Sequence, residues 1–215
     1  MNDVAVIADS DTREQIFLAA EKLFAERGYD GVSVRDIVAA ANVNLAAINY
    51  HFGSKGELLL EIFRRRAREL NKERQRLLRE AGADLEGVLH ALLAPPILWR
   101  APASGHAIAS RFMNRAMTES TPELRLLLET EVSHQRVFLA ALARVLPAWS
   151  AAELCWALHF ANGLAHQCTD TNFKRLTILS DGACDTEDLD AILARALRFA
   201  LAGIAALSDF PLNRT

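Results

Sequence analysis

Residues 42–55 read NVNLAAINYHFGSK, where three asparagines, Tyr50, His51 and Lys55 stand among small apolar residues and Lys55 holds the one formal charge. Such side chains donate and accept hydrogen bonds, so the stretch suits recognition rather than bond making. Two other groupings carry different chemistry. Cys155 and His159 lie four apart and His166 follows seven later, a thiolate and imidazole set that suits zinc or copper and leaves a metal-responsive role as an alternative. Glu131, His134 and His159 supply general acid–base groups for a helical small-molecule enzyme, a more distant alternative. The structural reading of these residues is that a helical histidine bonds a carbonyl and a cysteine buries as a small hydrophobe. No nucleophile elbow, phosphate loop or paired-carboxylate motif accompanies them, so no catalytic residue, metal or cofactor is expected.

The elements that must position residues 42–55 are helices, because apolar residues recur at helical spacing almost throughout and no stretch alternates with period two. The expected fold is all-α. Asp11 or Thr12 caps a first helix, with Ile16, Ala20, Leu23 and Phe24 as its buried stripe and Gly28 as its end. Ser33 caps a second helix, SVRDIVAAA, whose Val34, Ile37, Val38 and Ala41 share a face. Asn42 tolerates the left-handed backbone of a sharp turn, and Asn44 caps a third helix over Leu45 to His51. Ala47 and Ile48 fall near its inward side, while Leu45, Ala46, Asn49 and Tyr50 are available outward. Two short helices joined this tightly form a helix-turn-helix. A fourth helix starts at Ser54, where Glu57 completes a capping box, and reaches about Ala81 with Leu58, Leu59, Ile62 and Phe63 on its apolar side. Lys55 falls in its first turn, where the helix dipole disfavours a cation unless an anion is near. A bound phosphate satisfies both, whereas an isolated lysine is ordinarily just solvated.

Bulk composition agrees with this reading. A chain of 215 residues, 51% apolar and 24% charged, is an ordinary globular protein of one or two domains. The start, MNDVAVIADSDT, has no basic stretch and does not read as a secretory signal, and the charge-free run from Leu154 to Thr169 is too short and polar to span a membrane. Cys155, Cys168 and Cys184 form no CxxC pair, which fits a reducing cytoplasm. Thr12 to Ala81 holds 13 Lys/Arg against 10 Asp/Glu, net +3, and the remainder is net -6. That basic front on an acidic rear leans only weakly toward nucleic acid, since many solvated helices are locally basic.

The ordered set Phe24, Gly28, Ile37, Val43, Tyr50, His51, Phe52, Lys55 and Leu58, carried by "IFLAAEKLFAERGYDGVSVRDIVAAANV" and "INYHFGSKGEL", resembles the DNA-binding domain of the TetR family of bacterial transcriptional regulators over residues 12–63. Two positions depart from the family pattern: Asn42 stands where glycine is usual in the turn, and Asn49 where a first tyrosine is common in the recognition helix. Asn49 should change sequence preference, because asparagine bonds adenine N6 and N7 bidentately. The wording NVNLAAINYHF is also similar to a subgroup that includes fatty-acid-responsive regulators. The resemblance and helix geometry together put Asn44, Tyr50, His51 and Lys55 at phosphates of double-stranded operator DNA, with Ser33 and Arg35 adding contacts. Leu45, Ala46, Ala47 and Asn49 then face base edges, the apolar ones through thymine methyls. For Tyr50 and His51 the alternative is packing against the fourth helix.

What the resemblance implies for the rest is a helix-turn-helix domain over residues 1–53, a linking helix over 54–82 with Gly82 at the seam, and a helical effector-binding and dimerisation domain over 83–215. A leucine-rich helix ending at Pro95-Pro96 is expected there, followed by helices near 103–118 and 122–146, the latter stopped by Pro147. For a small-molecule effector, Arg111 and Arg115 are candidates to pair with a carboxylate, and Phe112, Trp156 and Phe160 to line an acyl chain; alternatively the arginines bridge to Glu119, Glu123 or Glu131 and the aromatics fill core. A homodimer is expected through the last two long helices, with Leu154, Leu158, Leu189, Leu193, Leu197 and Leu201 as participants, although an intramolecular core explains the same spacing equally well. The function implied is a cytoplasmic bacterial repressor released from a palindromic operator by its effector.

Overall fold

The computed structural model describes residues 2–82, 84–119, 121–168 and 170–209, and every regular element among them is helical. In order these are α1 (Asn2–Arg27), α2 (Val34–Ala41), α3 (Leu45–Phe52), α4 (Lys55–Glu80), α5 (Leu85–Leu98), α6 (Ala107–Thr118), α7 (Pro122–Thr130), α8 (Ser133–Val145), α9 (Ala151–Gln167), α10 (Asp170–Leu179) and α11 (Leu189–Asp209), with one 3-10 turn at Pro102–Ser104. The all-α expectation holds. Contacts divide the chain into two compact units, one of the chain through Glu69 with Gly105–Thr130 and one of Leu70–Ser104 with the chain from Glu131 on. The units therefore do not follow chain order as boundaries at 53/54 and 82/83 would require.

In the first unit the reason is a hydrophobic contact from α6. Phe112 is buried and its ring lies 6.4 Å from that of Phe24 on α1, while Arg115 Nη1 donates to the Glu26 carbonyl at 3.0 Å. The core of the unit joins Ile16, Phe17, Ala20 and Phe24 of α1 to Ile37 of α2, Ile48 and Phe52 of α3, Leu58, Leu59 and Ile62 of α4, and Leu124 of α7. Each such aliphatic or aromatic side chain, once buried, contributes about 1.5–3 kcal/mol relative to exposure. The starts of α2, α3 and α4 fall where their caps place them. Ser33 and Asp36 form a reciprocal capping box, Asn44 Oδ1 accepts from the Ala47 amide at 3.0 Å, and Ser54 Oγ accepts from the Glu57 amide at 3.1 Å. α1 differs: no cap at Asp11 or Thr12 interrupts it, and it extends back to Asn2. It ends as expected at Gly28, whose φ of 76° is a left-handed stop.

The second unit packs Leu89, Leu92 and Leu93 of α5 with Phe138 and Leu142 of α8, Leu154, Leu158 and Ala161 of α9, and Leu193, Ala196 and Ile204 of α11. Leu189, Leu197 and Leu201 pack partly buried against the same core. The leucines expected in a dimer seam thus serve this unit's own interior. Two helix ends also differ from expectation. The segment 122–146 is two helices, α7 and α8, separated between Thr130 and Ser133, where Glu131 Oε1 accepts from the Ser133 amide at 2.9 Å. α5 does not stop at Pro95-Pro96 but continues to Leu98. Pro96 has no amide hydrogen for the Leu92 carbonyl four residues earlier, and that oxygen is satisfied instead by Arg74 Nε of α4 at 3.0 Å.

Candidate nucleic-acid interface

α3 is anchored by two residues and open along the rest. Ile48 and Phe52 are buried, as four-residue spacing on one face requires, and Ala47 and His51 are half-buried beside them. Asn44, Leu45, Ala46, Asn49 and Tyr50 are exposed, Tyr50 to 77%. Packing of Tyr50 against α4 is thereby excluded; its ring stands edge-on to His51 at 4.9 Å. The turn before α3 is closed by Asn42 at φ 53° and ψ 46°, the left-handed conformation that asparagine tolerates, and the Val43 amide returns to the Val38 carbonyl at 3.0 Å. A cap, a turn and two buried anchors therefore present one narrow face of small and amide side chains, the shape that a major groove admits.

The phosphate candidates are more tightly built than their types suggest. Asn44 has its amide oxygen on the Ala47 amide, and Ser33 is held in its capping box with Oγ donating to Asp36 Oδ2 at 2.5 Å. Those bonds hold the Asp36 carboxyl below its ordinary pKa. Arg35 is exposed on α2. Lys55 is the main surprise. Its Nζ donates to the carbonyls of Tyr29 at 3.0 Å and Val32 at 2.9 Å and lies 3.9 Å from the centre of the Tyr29 ring. The cation in the first turn of α4 is thus already compensated by carbonyl dipoles and an aromatic face, without an anion. Tyr29 is the residue that sequence reasoning passed over; it lies in a turn and gives no periodic signal.

Nearby charge is paired too. Arg65 donates to both Glu14 oxygens at 2.6 and 3.0 Å, Arg66 to both oxygens of the buried Glu21 at 2.5 and 2.6 Å and to Glu69 at 2.6 Å, and Arg13 to Glu61. Both Arg65 and Arg66 sit over the Phe17 ring. Hydrogen bonds to Glu21 raise the Arg66 guanidinium above its ordinary range. These arginines are therefore structural, tying α4 to α1, and the net positive charge read from residues 12–81 comes from residues outside these pairs.

Residues 16–62 match the description "Bacterial regulatory proteins, tetR family", and residues 90–203, more than half of the chain, match "Tetracyclin repressor-like, C-terminal domain". The chain belongs to the TetR family. Among curated TetR-type relatives, the probable HTH-type transcriptional regulator YttP of Bacillus subtilis is 44% identical over 48 residues, 22% of this chain and 23% of that protein. The HTH-type transcriptional repressor AcnR of Corynebacterium efficiens is 39% identical over 54 residues, 25% of this chain and 29% of that one. The chain thus matches under a third of either relative's length. Over the whole fold, the transcriptional regulator FadR from Bacillus subtilis, solved in complex with stearoyl-CoA, superposes with a TM-score of 0.70 at 18% identity, covering 88% of this chain and 98% of that one.

The effector candidates of this TetR-family chain fall in both units. Arg111, Phe112 and Arg115 belong to the first unit and Trp156 and Phe160 to the second. Arg115 pairs with Glu119 at 3.0 Å, and Phe112 fills core against Phe24, the alternatives weighed for both. Trp156 and Phe160, each 56% exposed, stack with ring centres 5.5 Å apart on the outside of α9. His159 lies edge-on to both rings at 5.9 Å. Cys155 and His159 are accordingly not drawn toward His166, and no three His, Cys, Asp or Glu side chains among the described residues form a group able to hold a metal. Glu131 is occupied by the Ser133 amide. No helix among the described residues is long and apolar enough to cross a membrane.

Proposed function

We propose that the protein is a cytoplasmic repressor whose homodimer grips a palindromic operator and releases it when a small organic effector binds the second unit. The observation that carries this reading is the face of α3: Asn44, Leu45, Ala46, Asn49 and Tyr50 exposed on a helix whose Ile48 and Phe52 are locked in the core of a TetR-family chain. In this reading Asn49, Leu45, Ala46 and the half-buried edge of Ala47 meet bases, while Asn44, Tyr50, His51, Ser33 and Arg35 contact phosphates. Lys55 acts chiefly by fixing the turn of residues 29–32 against α4, and adds its positive charge to the phosphate side. A helix of this length reads only a few base pairs, so useful affinity requires two copies about 34 Å apart on successive major grooves.

The exposed Trp156 and Phe160 of α9, with Phe199 of α11 exposed to 71%, support a dimer surface on the last two long helices. The stearoyl-CoA held by the FadR structure supports an acyl compound as one effector class. Release follows from linkage: an effector weakens operator binding only by favouring the arrangement that does not fit DNA. α4, which begins in the first unit and ends in the second, is the element through which it acts. The test is binding of the purified protein to its own upstream intergenic DNA at moderate salt against unrelated competitor DNA, repeated with acyl and aromatic compounds. Specific binding released by one compound is expected; equal affinity for unrelated DNA overturns the reading.

A further inference from the structure

α1 must end with open carbonyls, because the last turn of a helix has no amides of its own ahead of it. The Phe24 carbonyl accepts from the Gly28 amide at 3.0 Å, and the Glu26 carbonyl accepts from Arg115 Nη1 of α6 at 3.0 Å, across 89 residues of sequence. A cation at a helix C-terminus also meets the negative end of the helix dipole. Arg115 is held for this contact by Glu119, one turn further along the chain, whose Oε1 accepts from Arg115 Nε at 3.0 Å.

The pair lies over Gly28. A Cβ on that residue would collide with Glu119 Oε2 and lie 3.0 Å from Arg115 Nε, so the glycine has two uses. Its φ of 76° stops α1, and its missing side chain lets the pair approach the backbone. The cavity left among Phe24, Gly28, Tyr29, Phe112 and Arg115 is about 10 Å³, room for at most one water, which makes this a packed joint and not a ligand pocket.

Burial alone does not require the arrangement. Phe112, 1% exposed, already fixes α6 against Phe24, and a half-exposed arginine–glutamate pair adds little to stability. What the pair holds is the start of the turn that leads into the helix-turn-helix. From Gly28 the chain runs through Tyr29 and Val32, whose carbonyls both accept from Lys55 of α4, to Ser33, the cap of α2. α6 thus grips the chain where it leaves α1, and α4 grips it on the way into α2.

We infer that Arg115 is a positioning residue for operator binding, an inference that rests on the regulator reading above. It acts without touching DNA: by clamping the Glu26 carbonyl it restricts the turn of residues 28–32, and with it the orientations open to α2 and α3. Ordering a binding element in advance raises affinity for a site that demands one orientation, and matters little to DNA held by charge alone.

The substitution Arg115→Gln isolates the clamp. The glutamine amide nitrogen falls where Nε stands, so it keeps the bond to Glu119 and stops short of the Glu26 carbonyl that Nη1 reaches. Binding of the full-length protein is measured to the upstream DNA that the wild-type protein recognises, to a single half-site of it and to unrelated DNA, at one salt concentration. Amide hydrogen exchange at Gly28 and Val32 is followed in the free protein. Arg115→Gln is expected to unfold cooperatively near the wild-type midpoint and to exchange both amides at least about tenfold faster. It should bind operator and half-site about tenfold more weakly, while binding to unrelated DNA falls by less than about threefold. Arg115→Lys, which keeps a charged donor near the carbonyl, should recover most of the loss. Unchanged operator affinity, an equal loss on operator and unrelated DNA, no recovery in Arg115→Lys, or unchanged exchange overturns the inference. A loss on the full operator that spares the half-site places the effect between the two copies and overturns it too, and a variant that no longer unfolds cooperatively makes Arg115 a folding residue instead. Absence of specific DNA binding by the wild-type protein sinks the regulator reading and the role of Arg115 with it, whereas a specific wild-type complex that Arg115→Gln leaves intact sinks the inference alone.

Discussion

At the scale of single residues, Lys55 and Asn49 show how one short motif divides its labour. Lys55 donates to two backbone carbonyls and covers the Tyr29 ring, so its removal leaves two acceptors without a charged donor. Hydrogen bonds to charged groups contribute about 1.5–3 kcal/mol. Lys55→Ala is therefore expected to destabilise the first unit by about that amount in urea unfolding, and to weaken all DNA sequences alike. Asn49 has no such duty, being exposed on α3. Asn49→Ala should leave unfolding unchanged within about 0.5 kcal/mol and reduce discrimination at one or two operator positions by about 1–3 kcal/mol each. Binding of both variants to a panel of single-base operator changes checks the contrast. A sequence-selective loss in Lys55→Ala, or a uniform one in Asn49→Ala, would show that the two roles are reversed.

At the scale of elements, the parts legible in the sequence were those governed by short-range rules. Ser33, Asn44 and Ser54 begin helices because each offers an oxygen to an amide three residues on, and Asn42 turns the chain because few other side chains tolerate φ 53°. Helix ends set by distant partners were not legible. Nothing local shows that Arg74 would replace the Pro96 amide and let α5 run on, nor that Phe112 would carry α6 into the first unit. The ion pairs between α1 and α4 were hidden for the same reason, lying about fifty residues apart in sequence. Two predictions belong here. Asn42→Gly should keep the turn, whereas Asn42→Val places a β-branched residue in the left-handed region and should cost about 1–3 kcal/mol, read by thermal unfolding. Arg66→Met removes the partner of the buried Glu21, whose two oxygens both accept from Arg66. A loss of about 3–5 kcal/mol is expected, with Glu21→Gln in the same background recovering part of it, because the damage is a stranded carboxylate. Denaturant midpoints for the single and double variants decide this, and a double variant no better than Arg66→Met alone would remove the ion pair from the account.

At the scale of the whole molecule, the apolar pattern of the last two long helices answers two demands that the sequence could not separate. The leucines at Leu154, Leu158 and Leu193 turn inward, and Trp156, Phe160 and Phe199 are left outside on α9 and α11. Large exposed aromatics cost little when isolated, but a stacked tryptophan and phenylalanine on α9, with Phe199 also exposed on α11, offer apolar surface of the kind that a partner covers. The proposed partner is a second copy, since two recognition helices are needed for a palindrome. The variant Trp156→Glu with Phe160→Glu tests this on the full chain. Both residues are more than half exposed, so the isolated fold should persist, with an unchanged helical spectrum. Charge repulsion across a two-fold axis should instead shift the protein to a monomer, read by sedimentation equilibrium. Operator affinity should then fall by about 100-fold or more, because the second half-site is no longer held at high effective concentration by the first. Binding to a single half-site should be unchanged, which separates loss of the dimer from damage to α3. A variant that sediments as a dimer and binds the full operator normally would place the interface on another face of the second unit.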